Sequence, residues 1–274
     1  MNDMTLISPG IPAVSPLLDP ADPSPVQLLN PHGRVPLLLV CDHAGNAIPK
    51  PLNQLGLGSQ ELAQHIAWDR GAAEVTCRLA ERLDAPAVLS AYSRLLIDCN
   101  RAPGDPESIP LQSDGILIPG NQNLSDAEAD WRLETFFWPY HHTITNTIAH
   151  LWRHGLAPAF ISIHSFTPQL NGGPPRPWHM GILWNRDPRL ALPILDWLRT
   201  QTGLCVGDNV PYSGREVGYT METHAGAAGL PHVEFEIRQD LLADAAGWER
   251  WAQLVGDVLE VVLADKSIHS IVYF

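Results

Sequence analysis

Positive charge is scarce in this 274-residue chain: Lys plus Arg is 17 against 30 for Asp plus Glu, a formal net charge of −13. With no surplus of cations to displace counterions from phosphates, the chain is a poor candidate for wrapping nucleic acid. It is equally ill suited to an anionic membrane surface. Long hydrophobic runs are lacking too. No segment reaches the ~18 to 20 apolar residues of a membrane span, and Met1–Leu18 has neither the basic nor the apolar region of a secretory signal. The four cysteines, Cys41, Cys77, Cys99 and Cys205, form no CxxC pair and read as thiols of a reducing cytosol. No internal repeat and no low-complexity block is found. Charged residues are only 17%, yet hydrophobic residues reach 45%, which fits a globular protein and excludes disorder. The length suits one substantial core or at most two small domains.

Turn-forming residues are plentiful, with 21 Gly and 25 Pro. Residues 1–34 carry seven prolines and read as an extended arm, with the globular domain following over 35–274. From Val35 short apolar runs recur at 35–41, 87–91, 95–97, 160–163, 180–183 and 233–237. Such runs, stopped by polar residues, fit strands buried on both faces of a sheet. Helical segments are expected between them. One runs from Ser59 to about Leu83 with a break. A second runs from the capping box Ser125–Glu128 to about Arg153, kinked at Pro139. A third spans Pro188 to Thr202, and the last runs from an Asp240 cap to about Ala264. The alternation predicts a single-domain α/β sandwich with a mainly parallel or mixed central sheet. Long irregular stretches remain at 102–124, 165–178 and 203–231, and loops of that length in a compact domain are usually functional.

The chemistry gathers where the expected strands end. Asp42-His43 follows the first run, Asp98-Cys99-Asn100-Arg101 the third, His164-Ser165 the fourth, and Glu236 and Arg238 end the last. Ligands of open α/β sheets bind outside the carboxyl ends of strands. A lone histidine at either place reads as a hydrogen-bonded structural residue, but two at equivalent strand ends point to a shared metal. Two imidazoles and a carboxylate with a fourth position open to water make a catalytic zinc arrangement. No GxSxG nucleophile turn is present. Arg101 is suited to gripping a carboxylate through two parallel hydrogen bonds. Glu234 and Glu236 share one face of a strand, a costly placement unless that face meets a site or partners. Arg238 shares that face and offers an ion pair for one of them.

The segments Val40-Cys-Asp-His-Ala-Gly-Asn-Ala-Ile-Pro49, Ser93-Arg-Leu-Leu-Ile-Asp-Cys-Asn-Arg101, Ser162-Ile-His-Ser165 and Val233-Glu-Phe-Glu-Ile-Arg238 resemble, in this order, the N-formylglutamate amidohydrolase family. That family is similar in fold to zinc carboxypeptidases and aspartoacylases. The resemblance implies zinc-dependent hydrolysis of the amide of an N-acyl amino acid. It places one zinc ion on His43 and His164, a carboxylate clamp on Asn100 and Arg101, and a general base on Glu236. Arg101 can alternatively serve the oxyanion in catalysis; substrate binding is the favoured role. The wider pattern has a metal-binding glutamate three residues after the first histidine, where this chain has Asn46. Asp69 is the expected third ligand, with a helix cap before Arg70 as its alternative. Asp42 is expected to point to the opposite side from His43. Arg215, Tyr219, His224 and Arg238 are further candidates for substrate contacts. His141-His142 on a helix is expected to be structural, because adjacent helical residues face different ways.

Two rivals stay open. One is a metal- or carboxylate-binding protein of the same fold without catalysis, which Asn46 keeps alive. The other is a cysteine hydrolase using Cys41 or Cys99 with His43. A small-molecule N-acyl amino acid is the expected partner, and the cytoplasm the expected location.

Overall fold

The computed structural model describes residues 18–274 except His154. Among the described residues nine strands run in chain order: β1 Val26–Leu29, β2 Leu37–Cys41, β3 Ala87–Ser90, β4 Gln112–Ser113, β5 Ile116–Leu117, β6 Ala159–Phe166, β7 Met180–Leu183, β8 Val206–Asp208 and β9 His232–Arg238. The helices are α1 Ser59–Leu62, α2 Ala72–Arg82, α3 Asp126–Arg132, α4 Trp138–Trp152, α5 Pro188–Arg199, α6 Tyr219–Met221 and α7 Ala245–Leu263.

Seven strands form one mixed sheet in the order β1-β3-β2-β6-β9-β7-β8, and β4 and β5 make a separate hairpin. Its centre, β3-β2-β6-β9, is parallel; β1 joins β3 antiparallel and β7 joins β9 antiparallel. This is the expected single α/β domain, with the sheet mixed rather than purely parallel. The described part of the proline-rich stretch supplies the edge strand β1.

The two-residue strand period sorts side chains between the faces. Leu37, Leu39, Ile161, Ile163, Val233, Phe235 and Ile237 pack with α2, α5 and α7. Leu38, Val40, Val88 and Phe160 meet Tyr140, Ile144, Ile148 and Leu151 of α4 on the opposite side. On that same second side, His164 and Glu236 are cross-strand partners, as are Ser162 and Glu234. A third apolar cluster, including Leu55, Ile66, Leu95, Leu96, Ile97 and Phe136, is built by connecting segments.

Several boundaries differ from those read in the sequence, each for a local reason. Leu95–Ile97 is a series of turns, not a strand: Ser93 accepts the Leu95 N–H with its side chain and the Leu96 N–H with its carbonyl. Its apolar residues serve the third cluster instead of the sheet. β6 runs three residues past Ile163, so His164 and Ser165 lie within a strand. The helix over 125–153 departs from α geometry at a π turn, Leu133–Phe137, one turn before Pro139, which sits in the first turn of α4. The last helix is capped by Asp244, which accepts the Gly247 N–H, whereas Asp240 pairs with Arg238. Among the described residues, no helix is long and apolar enough to cross a membrane.

Candidate active site

β2 ends at Cys41 and delivers Asp42 and His43, both buried, to the second side of the sheet. The break between α1 and α2 carries Asp69 to the same place. Its backbone N–H donates to the His43 carbonyl at 3.0 Å. The segment then turns at Gly71, with φ of +82°, where an added Cβ would lie 2.4 Å from the Leu242 side chain. Glycine is the residue that meets both demands. α2 is capped at Gly71 without a side-chain bond, so the Asp69 carboxylate is not spent on the helix. It sits instead between two imidazoles: Asp69 Oδ2 is 3.4 Å from His43 Nδ1, 2.8 Å from His164 Nδ1, and accepts the Ser165 N–H at 3.2 Å.

Each histidine is held from behind by a second carboxylate. His43 Nε2 lies 2.7 Å from Asp98 Oδ1, and His164 Nε2 lies 3.0 Å from Asp42 Oδ2. The expectation that Asp42 points away from His43 therefore missed its role, for it reaches the far nitrogen of His164. With Nε2–H donated to a carboxylate, each ring presents its Nδ1 lone pair toward Asp69, the pattern by which outer partners orient metal-binding histidines. The donor atoms of His43, Asp69 and His164 lie within 4.8 Å of one another. Donors on a tetrahedral zinc with ~2.0–2.1 Å bonds stand about 3.3 Å apart. The donor set and its spacing fit a divalent ion, and the three residues form a candidate metal triad.

The electrostatics agree with that fit. Asp42, Asp69, Asp98, Glu234 and Glu236 are all buried here, while Arg94 and Arg101 supply permanent positive charge. Burial pushes the Asp42 carboxyl up, but hydrogen bonding and charge from His164, then His43 and Thr220, bring it down to about 2. For Asp98 burial is likewise outweighed, by Arg94 and then His43, and its pKa falls well below the usual carboxylate range. Burial and Arg94 push His43 down, yet Asp98 and Asp69 leave it raised. His164 is raised further: Glu234, Asp42 and Asp69 overcome its burial. Each imidazole lies between two carboxylates, so cationic charge is what this centre draws in.

Glu236 stands beside His164, and its Oε2 is buried with no hydrogen-bond partner among the described residues. Burial raises its pKa well above the ordinary value, with His164 offsetting only part. Asn100 is fixed by two bonds, its N–H donating to Asp98 Oδ1 and its Oδ1 accepting the Thr220 N–H. Arg101 donates to the Asn100 carbonyl and pairs with Glu107 at 3.3 Å. His43, Asp69, His164, Glu236, Asn100 and Arg101 all line one cavity of about 140 Å³.

The remaining expected contacts lie elsewhere. Arg215 and Tyr219 line an adjoining groove of about 390 Å³ that shares Asn100 and Arg101. His224 Nε2 is 2.7 Å from His141 Nδ1, and the stacked pair is tied to the Cys99 carbonyl. Burial brings the His224 pKa down to about 4. Arg238 donates to the carbonyls of Arg176, Pro177 and Trp178. His142 is exposed. Asn46 donates to the Leu62 carbonyl. Cys41 and Cys99 are buried, and burial pushes both thiols up, away from the nucleophilic thiolate.

Asp98 was noted in the sequence as closing an apolar run but was given no role, and Arg94, His65 and Tyr212 were given none; all four belong to this region. Arg94 binds Asp98 Oδ2 through Nε and Nη2 at 3.1 and 2.7 Å, fixing the partner of His43. The i, i+4 spacing of Arg94 and Asp98 was the available signal. His65 and Tyr212 lie in segments that resemble the family, 65–71 and 209–214, but neither residue was picked out, because separate loops bring them together.

The sequence profile of the N-formylglutamate amidohydrolase family matches residues 35–243. Among solved structures, gene product Atu2144 from Agrobacterium tumefaciens is similar over 92% of this chain and 99% of its own, with 34% identity and a TM-score of 0.88. N-formylglutamate amidohydrolase from Ralstonia eutropha JMP134 shares the fold over 89% of this chain and 99% of its own, with 19% identity and a TM-score of 0.64. No curated protein sequence matches.

Proposed function

We propose, for a chain that belongs to the N-formylglutamate amidohydrolase family, that it is a zinc-dependent hydrolase of the amide bond in an N-formylglutamate-like N-acyl amino acid. The observation that carries this reading is the buried, unpartnered Glu236 Oε2 beside the triad of His43, Asp69 and His164. Those three residues would hold the ion. A bound zinc would supply Lewis acidity, lowering the pKa of water held there to ~7.

Glu236 Oε2 accepts a proton from the attacking water and delivers it to the leaving nitrogen. The C–O bond forms first by addition to the carbonyl carbon, and the C–N bond breaks once the nitrogen has received the proton, so acid and free amine leave. Burial raises the basicity of Glu236, which favours its taking the proton. Asn100 and Arg101 hold the substrate carboxylate, and Arg101 reaches it from the rim between the cavity and the adjoining groove. Asp98 and Asp42 keep the two imidazoles in the tautomer that binds metal. All four cysteines are free thiols, which suits the cytosolic setting we propose.

The test is hydrolysis of N-formyl-L-glutamate by protein loaded with zinc and by protein stripped with chelator. Formate release that needs the ion supports the reading. Bound zinc without turnover of any N-acyl amino acid would make the protein a binding module instead.

A further inference from the structure

The cavity at the triad is small, but it opens in two directions. Through Asn100, Arg101 and Val217 it meets the groove of about 390 Å³ that holds Arg215 and Tyr219. Through His65, Arg94 and Tyr212 it meets a second groove of about 460 Å³. If Asn100 and Arg101 grip the amino-acid carboxylate, the amine side of the scissile bond occupies the first groove. The acyl side then faces the second. A formyl group is one carbon and one oxygen and would leave that second groove empty.

We infer that the preferred substrate carries an acyl group of several non-hydrogen atoms, uncharged, lying in the groove between Leu95, Leu170 and the β4–β5 hairpin. The inference rests on the hydrolase reading above and deepens it by naming the acyl class.

The groove is a constructed feature. Asp114, at the turn of the hairpin, accepts the Asn171 N–H on both carboxylate oxygens at 3.1 Å and stands 3.3 Å from His65 Nε2. One side chain thus ties the hairpin to the loop carrying Leu170, with the His65 ring beside it. Arg94, engaged by Asp98, stands against a cationic acyl chain, while Glu107 and Asp114 stand against an anionic one. A charged chain of either sign meets a like charge along this wall. Ile66, Leu95 and Leu170 offer apolar contact instead, and Gln112 and Ser113 offer neutral hydrogen bonds near the hairpin. The lining therefore selects a chain with an apolar stem and a neutral polar tip, such as an amide.

The experiment is a kcat/KM series on the zinc-loaded full chain with N-formyl, N-acetyl, N-butanoyl, N-hexanoyl and N-(acetylglycyl) derivatives of L-glutamate. Binding of the same compounds to the Glu236→Gln variant is followed by calorimetry. We expect kcat/KM to rise at least about tenfold from formyl to the longer acyl groups, with affinity following the same order. Leu170→Trp and Ser113→Trp, which each add bulk to the groove lining, should each reduce the long-to-short ratio about tenfold, with folding checked by thermal melting. A best rate with N-formylglutamate that falls at acetyl and beyond overturns the acyl inference and leaves the hydrolase reading standing. Absence of hydrolysis across the series, with zinc bound, overturns both.

Discussion

The two halves of this site are positioned by different means. His164, Glu234 and Glu236 stand on β6 and β9, adjacent parallel strands whose seven-pair register runs from Phe160 opposite His232 to Phe166 opposite Arg238. The ladder fixes their spacing, and the period of two fixes their side. Asp69, Asp98, Asn100 and Arg101 stand on irregular backbone. Their precision comes from buried side chains that occupy the backbone groups: Arg132, 1% exposed, donates to the carbonyls of Leu96 and Gly120 and to Asn121 Oδ1. Asn121 in turn donates to the carbonyls of Leu95 and Pro110. A strand-borne site needs only its sheet, whereas a loop-borne site needs a second set of buried polar residues to replace the ladder.

The chemistry assigned to the strand side is the most sensitive to change. Glu236→Gln keeps the size of the side chain and removes its basicity, so kcat should fall by ~10² to 10⁴ with zinc still bound and the fold intact, as read by steady-state kinetics and metal analysis. Loss of the ion in this variant would make Glu236 a ligand and break the division between metal triad and base.

The loop side should fail differently. Arg132→Met leaves several buried carbonyls without donors, and we expect a loss of about 2–4 kcal/mol of stability, measured by denaturant unfolding. A change below about 0.5 kcal/mol would show that the loop holds its shape without Arg132, and the contrast would lose its basis.

The smallest effect sharpens the comparison at the triad itself, where one histidine comes from each half. Asp98→Asn acts on His43 from the loop side, and Asp42→Asn acts on His164 from the sheet side. Each should weaken zinc affinity about 10- to 100-fold in competition with a chromophoric chelator. Equal affinity to wild type in both variants would remove the outer carboxylates from the account.

The same division explains what was legible in the sequence. The fold class, the strand that ends just before His43, the strands carrying His164 and Glu236, and the alternation that puts Glu234 and Glu236 on one face follow from short-range patterns of apolar residues. Leu95–Ile97 reads as a strand because a buried loop needs apolar residues as much as a sheet does, and the deciding Ser93 bonds leave little trace in composition. Asp69 was reached through resemblance to a family segment, with a helix cap as its rival; the positive φ of Gly71, which frees it from capping, was not visible. Asp42 was set aside as facing away from His43, although alternation from Val40 puts it on the face of Ser162 and His164, where it meets the His164 ring. The grooves at His65 and Tyr212 depend on contacts between distant loops, which no local pattern encodes.

Everything proposed for this site turns on one divalent ion held by His43, Asp69 and His164 together. Calorimetric titration of zinc into metal-free wild type, His164→Ala and Asp69→Asn measures that directly. One ion per chain is expected in the wild type, with affinity reduced at least ~10²-fold in both variants, since each removes a ligand or its charge. One tightly bound ion of unchanged affinity in His164→Ala would show that the triad is not the metal site.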